Sequence, residues 1–217
     1  MNHLTQILLA ILPVWGLLIV VDRLWEAKKI QVETSRKIIH TLTGTYVAFW
    51  PLFINWTYIQ ILSVAFLAVI LLSYKLHIFQ SIHAVKRITR GEILYPVAIA
   101  VCAFIEPPAW MFTAAILHLA LADSAAAYVG VKWGKSSHYK IMSHGKSLIG
   151  SLSFYLVSFS IMISTMLFVD SANLPSPFWL LAFAPLALTL LENFSWYGTD
   201  NITIPLAVIV LLSGLPQ

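Results

Sequence analysis

Charged side chains are scarce in this chain: 13 Lys and Arg and 9 Asp and Glu in 217 residues, or 10% of the whole. Soluble domains carry about 25%, so a water-covered globule of this composition is excluded. Cysteine is almost absent. A single Cys102, inside an apolar run, rules out an internal disulfide and any cysteine-based zinc site, and it reads as a core residue. Basic residues are missing ahead of the first apolar segment, Leu4 to Val21, and no A-x-A-like cleavage site follows it. That segment reads as an uncleaved span, not a secretory signal, and nothing there resembles an organellar transit peptide. Long linkers, low-complexity tracts and internal repeats are lacking too, so residues 1–217 are expected to form one integral membrane domain.

What is present is hydrophobic: 59% of residues are apolar and the mean hydropathy is +0.85. Apolar runs of about 18 residues or more read as membrane-spanning helices. Eight candidate spans follow, roughly 4–21, 38–54, 57–74, 93–105, 109–131, 148–169, 177–194 and 201–214. The fourth and eighth are short, so tilting or burial by neighbours is expected, and seven spans result if one is re-entrant. The expected fold is therefore all-α, a polytopic integral membrane helical bundle. All thirteen cations fall in three stretches, Arg23 to Lys37, Lys75 to Arg90 and Lys132 to Lys146. The positive-inside rule puts these stretches in the cytoplasm and the N-terminus outside, in a bacterial cytoplasmic membrane. The net charge of +4 and pI near 9.2 suggest nucleic acid at first glance, but charge confined to membrane loops explains them better. Trp15, Trp25, Trp50, Trp56, Trp110 and Trp179 stand near span ends, as an aromatic belt requires.

Asp123 lies well inside an apolar run. A carboxylate at membrane depth costs about 2.5–3.5 kcal/mol on insertion scales, so it is expected to face a polar cavity and to have a task. Asp123, Ala127, Gly130 and Gly134 share one helical stripe. Its small residues equally suit a close helix–helix contact, within one subunit or between subunits of a homo-oligomer. Two Gly-Lys-Ser triplets follow, 134–136 and 145–147, without the spacing of a phosphate-binding P-loop and without a strand expected before either. Lys146, Ser147, Gly150 and Ser151 open the sixth span, and an ammonium, two hydroxyls and free N–H groups at a helix N-terminus suit phosphate. Arg36, Lys37 and His40 open the second span, where they serve topology and lipid headgroups or meet phosphate, and His40 is either a core histidine or a functional one. Glu92 stands at the mouth of the fourth span, Glu192 ends the seventh, and Asp200-Asn201 opens the eighth. Each alone reads as a cap. Together with Asp123 they put four acids on the cytoplasmic side, which suggests a magnesium–nucleotide site. His118 is expected to point elsewhere.

In order along residues 36 to 206, these pieces resemble the integral-membrane, CTP-dependent polyprenol kinases, which comprise dolichol kinase, phytol kinase and yeast-type diacylglycerol kinase. The matching residues are Arg36-Lys37-x-x-His40, Gly91-Glu92-x-x-Tyr95-Pro96, Asp123-x-x-Ala126-x-x-x-Gly130-x-x-x-Gly134, Lys146-Ser147-x-x-Gly150-Ser151 and Glu192…Asp200-Asn201-x-x-x-Pro205. The chain is similar in size to the small phytol-kinase-like members. The resemblance implies CTP as phosphate donor, Mg2+ as cofactor, and a polyprenol, a phytol-type isoprenoid alcohol or diacylglycerol as the membrane lipid acceptor. It implies Asp123, Lys146 and His40 as catalytic residues, with Mg2+ on Asp123 and on Glu92 or Asp200. Nucleotide phosphates would lie on Arg36, Lys37, Gly130, Gly134, Lys146, Ser147, Gly150 and Ser151, with Glu192 and Asn201 as further candidates. Asp123 is favoured as a metal ligand over acceptor of the hydroxyl proton. Two other readings stay open: a cytidylyltransferase acting on a lipid phosphate, as CDP-diacylglycerol synthases do, and a small membrane transporter with Asp123 as its ion site.

Overall fold

Asn2 starts the first helix by accepting the Thr5 N–H on its side-chain oxygen at 2.8 Å. Helix α1 (His3–Glu26) then runs for 24 residues, about 36 Å at 1.5 Å per residue. It buries only the stripe Ala10, Val14, Leu18 and Val21, while Leu4, Leu8, Leu12 and Ile19 stay exposed. A single buried stripe under an otherwise apolar exterior is what a lipid-facing helix presents. The computed structural model describes residues 2–76, 91–141, 144–168 and 178–214. After α1 come α2 (Val32–Ala48), a 3-10 turn (Trp50–Leu52), α3 (Trp56–Leu76) and α4 (Gly91–Ile105). Then follow α5 (Ala109–Leu117), a π-helical segment (His118–Ala122) and α6 (Asp123–Trp133), then a 3-10 turn (Gly134–Ser137), strands β1 (His138–Ile141) and β2 (His144–Ser147), and helices α7 (Leu148–Phe168), α8 (Phe178–Phe194) and α9 (Asp200–Ser213). Lys86, Arg87, Arg90 and the Pro175-Ser176-Pro177 connection lie outside the described residues.

Counting α5, the π segment and α6 as one rod, the described residues form eight helical rods in a polytopic membrane bundle. Four rods are long and apolar enough to cross a membrane: α1, α3, the α5–α6 rod and α7. Helices α4, α8 and α9 are apolar but shorter. The α5–α6 rod is the hub, packed by α2, α7 and α9, and α1 lies against α2 while α3 and α4 pair beside α9. Helix α2 starts earlier than its apolar run suggests, so Arg36, Lys37 and His40 sit one to two turns inside it and not at its mouth.

Three glycines set how closely the rods approach around the hub. A Cβ at Gly44 would come within 1.8 Å of the Tyr95 hydroxyl and 2.7 Å of Ala120 Cβ. Gly130 and Gly150 face each other across α6 and α7, with the Ser147 hydroxyl 2.9 Å from where either Cβ would stand. The small-residue stripe thus serves packing within the chain.

The Gly-Lys-Ser segment departs from expectation. Residues 138–141 and 144–147 pair as two antiparallel strands, with Tyr139 opposite Lys146 and His138 opposite Ser147, so the second triplet lies on a strand. Mostly polar residues between two apolar rods leave these strands no helical face to bury, and their backbones pair with each other instead. The Gly150 N–H that was expected to be open to phosphate is capped by the Ser147 hydroxyl at 3.1 Å.

Gly44→Ala should lower stability by about 1–3 kcal/mol through overpacking, read as thermal unfolding in detergent. The loss should shrink when Tyr95→Phe removes the hydroxyl that the new methyl group meets.

Candidate active site

The second and third turns of α2, the starts of α4, α7 and α9, the end of α8 and the middle of the central rod converge around a cavity of about 350 Å3. Arg36, Lys37 and His40 come from α2, Asp123 and Gly130 from α6, and Lys146 and Ser147 from β2. Gly150 and Ser151 come from α7, Glu192 from α8, and Asp200 and Asn201 from α9. Two sequence candidates stand apart. Glu92 lines a smaller neighbouring cleft with Arg36 and His40, and Gly134 is buried beneath Ser147.

Asp123, Glu192 and Asp200 each offer a carboxylate oxygen, and these oxygens lie within 4.8 Å of one another. Glu192, four per cent exposed, is ion-paired with Lys146, whose ammonium also donates to the Glu192 backbone carbonyl at 3.1 Å. The second carboxylate oxygen of Glu192 is buried without a hydrogen-bond partner among the described residues. Three hard oxygen donors, one of them unsatisfied, fit a divalent cation such as Mg2+. The acid grouped with Asp123 and Asp200 is thus Glu192, not Glu92. Both stand at span ends in the sequence, and only the approach of α8 to the hub separates them.

Around this centre several polar side chains are committed to holding the frame. The Nε2 of His40 lies 3.1 Å from the Leu119 carbonyl, which only accepts, so that nitrogen carries the proton. Its ring rests 4.1 Å from that of Tyr95, whose hydroxyl donates to the His40 carbonyl at 3.0 Å. Asn201 donates to the Gly91 carbonyl at 2.9 Å and ties α9 to α4. Ser151 and Tyr139 hydroxyls converge on the Asn193 side-chain oxygen at 2.8 and 2.9 Å, which pins the hairpin to α7 and α8. His118 bonds the Ala114 carbonyl at 2.8 Å and the Ser158 hydroxyl at 3.0 Å, away from the cavity wall. Asn193 and Tyr139 were missed from sequence. A second polar residue directly after Glu192 at the end of an apolar run is the signal that marks Asn193, while Tyr139 lies in a stretch read as loop.

No family model matches this chain, and no solved structure does. It is similar to a phytol kinase of Synechocystis sp., 33% identical over 181 residues that cover 80% of this chain and 76% of that protein. The chain belongs to the phytol kinase family. It is also 27% identical over 220 residues to a probable chloroplastic phytol kinase of Zea mays, covering 91% of this chain and 71% of that one. A probable phytol kinase 2 of Glycine max matches at 27% over 211 residues, covering 91% and 70%. Within this member of the phytol kinase family, the Lys146–Glu192 pair is the ion contact most nearly closed to solvent among those described, with 20% and 6% of the two side chains exposed.

Lys146→Met strands the buried Glu192 carboxylate and should cost about 3 kcal/mol of stability. Adding Glu192→Gln should restore much of it, as denaturant unfolding of the single and double variants in detergent would show.

Proposed function

We propose that this protein phosphorylates the hydroxyl of a membrane lipid alcohol, with CTP as donor and Mg2+ bound by Asp123, Glu192 and Asp200. The observation that carries the reading is the carboxylate trio facing cations from two other elements across one cavity. Phosphoryl transfer asks mainly for positioning and charge neutralisation. Asp123, Glu192 and Asp200 would hold the divalent cation, which would supply positive charge against the phosphates. Arg36 and Lys37 neutralise the triphosphate from α2. Lys146, already held by Glu192, presents its ammonium beside the metal ligands. Ser147, Gly150, Ser151 and Gly130 shape the wall through their mutual packing, so the phosphate contact from this segment falls to Lys146. His40, its Nε2 proton engaged, orients neighbouring groups and leaves proton transfer to the carboxylates.

In the reaction, the alcohol oxygen forms a bond to the γ-phosphorus and the bond from that phosphorus to the β,γ-bridging oxygen breaks. CDP leaves, and the hydroxyl proton passes to a carboxylate of the trio. A second, smaller cleft supports a lipid acceptor. It is lined by Ile39, Phe66, Ile70 and Tyr95 between α2, α3 and α4, and it shares Arg36, His40 and Gly91 with the large cavity. A hydrocarbon chain in the cleft would present its hydroxyl where the two meet. The phytol kinase names of the relatives favour an isoprenoid alcohol such as phytol. We place the basic stretches and this cavity on the cytoplasmic side of a bacterial membrane, with the N-terminus outside, by the positive-inside rule.

Purified protein given γ-labelled CTP, Mg2+ and phytol should label the lipid, and chelation should stop the reaction until Mg2+ returns. Asp123→Asn should lower the rate on the order of 100-fold or more. Label entering lipid from the α-position of CTP would mark a cytidylyltransferase and overturn the kinase reading.

A further inference from the structure

Among the described residues, the cavity wall holds one tryptophan and one tyrosine, Trp196 and Tyr197, and both belong to the turn between α8 and α9. They are 44% and 52% exposed, next to Ser195 and Gly198 on the same wall. Exposed aromatic rings on a membrane protein ordinarily meet lipid. These two share a cavity wall with Asp123, Lys146, Glu192 and Asp200.

The turn is firmly built. The Thr199 hydroxyl accepts from the Trp196 N–H at 3.2 Å and donates to the Trp196 carbonyl at 2.9 Å, and the Thr199 N–H reaches that carbonyl at 3.0 Å. Ser195 is tied back to the Leu191 carbonyl at 2.8 Å. Tyr197 takes φ 51° and Gly198 φ 87°. Glycine or asparagine would occupy the first of these without strain, whereas tyrosine there is costly and supplies a ring. The turn also leaves from one metal-ligand candidate and returns at another, since Glu192 and Asp200 each stand four residues from Trp196. Four extended residues reach at most about 14 Å, so the Trp196 backbone stays within that distance of both acids' backbones, and all three side chains line the same cavity.

We infer that the Trp196-Tyr197-Gly198 turn is a stacking platform for the base of the nucleotide donor. This rests on the kinase reading for the placement of the triphosphate and goes beyond it in assigning the other end of the donor. The polyphosphate satisfies the cations and the metal, while the flat base needs an apolar face, which the exposed Trp196 on the cavity wall provides. Stacking accepts any base, because every base has a π-face. The platform therefore contributes affinity, and the choice between cytosine and adenine is made by other groups.

The test uses the full chain in lipid nanodiscs with CTP as the probe. Trp196→Ala should raise the KM for CTP by roughly 10- to 100-fold, leave the KM for phytol unchanged and leave thermal stability unchanged because the ring is exposed. Trp196→Phe, which keeps a ring, should recover most of the affinity. CTP should also quench tryptophan fluorescence in wild type and not in Trp196→Phe, a readout that needs no turnover. An unchanged KM for CTP, or a shift in the KM for phytol in its place, would overturn the platform. If wild type proves inactive on lipid alcohols, the kinase reading fails while the quenching experiment still decides the platform, and quenching that persists in Trp196→Phe sinks it.

Discussion

Mutual repulsion among three carboxylates is the constraint around which this bundle is arranged. Two charges 4.8 Å apart repel by about 3.5 kcal/mol at an effective dielectric of 20, so three such pairs approach about 10 kcal/mol. That rivals the whole stability of an ordinary domain. Much of that repulsion among Asp123, Glu192 and Asp200 is offset by cations in the same cavity. Lys146 reaches it from the hairpin, and Arg36 and Lys37 reach it from α2. The requirement explains why a chain so poor in charge gathers so much of it around one cavity.

The same constraint divides what could be read from the sequence from what could not. Asp123 was legible because a lone carboxylate in an apolar run has no packing reason to exist. The bundle was legible because hydropathy is a local property of the chain. The partnership of Asp123 with Glu192 was not. Glu92 and Glu192 are equivalent as sequence, each an acid at the end of an apolar helix, and only tertiary packing decides which of them faces the hub. The hairpin was hidden for a related reason: its two four-residue strands carry too few apolar side chains to show a period of two. The roles of Ser147 and Ser151 were half legible. Their position at a helix start was correct, but their hydroxyls bond the Gly150 N–H and Asn193, and no pattern in one dimension reveals such partners.

Glycine and serine at the α6–α7 contact do for geometry what the cations do for charge. Close approach of these helices keeps the hairpin near the acids, and the anchor of Tyr139 on Asn193 fixes the ribbon whose opposite strand carries Lys146. An ammonium on a free loop would have many rotamers and positions to lose on binding phosphate. On a pinned ribbon most of that ordering is complete before any ligand arrives.

The π-helical segment at His118–Ala122 leads directly into Asp123. A wide turn of this kind takes up one extra residue while leaving the helix beyond it in phase. Removing one residue there would return the rod to a regular α-helix and keep Asp123 on nearly the same face. The same deletion one turn earlier, in α5, has no wide turn to absorb it and would rotate everything beyond by about 100°, carrying Asp123 out of the cavity while the span itself stayed intact. In a lineage of such chains, the step before Asp123 is therefore where the rod can lose a residue and keep its acid in place.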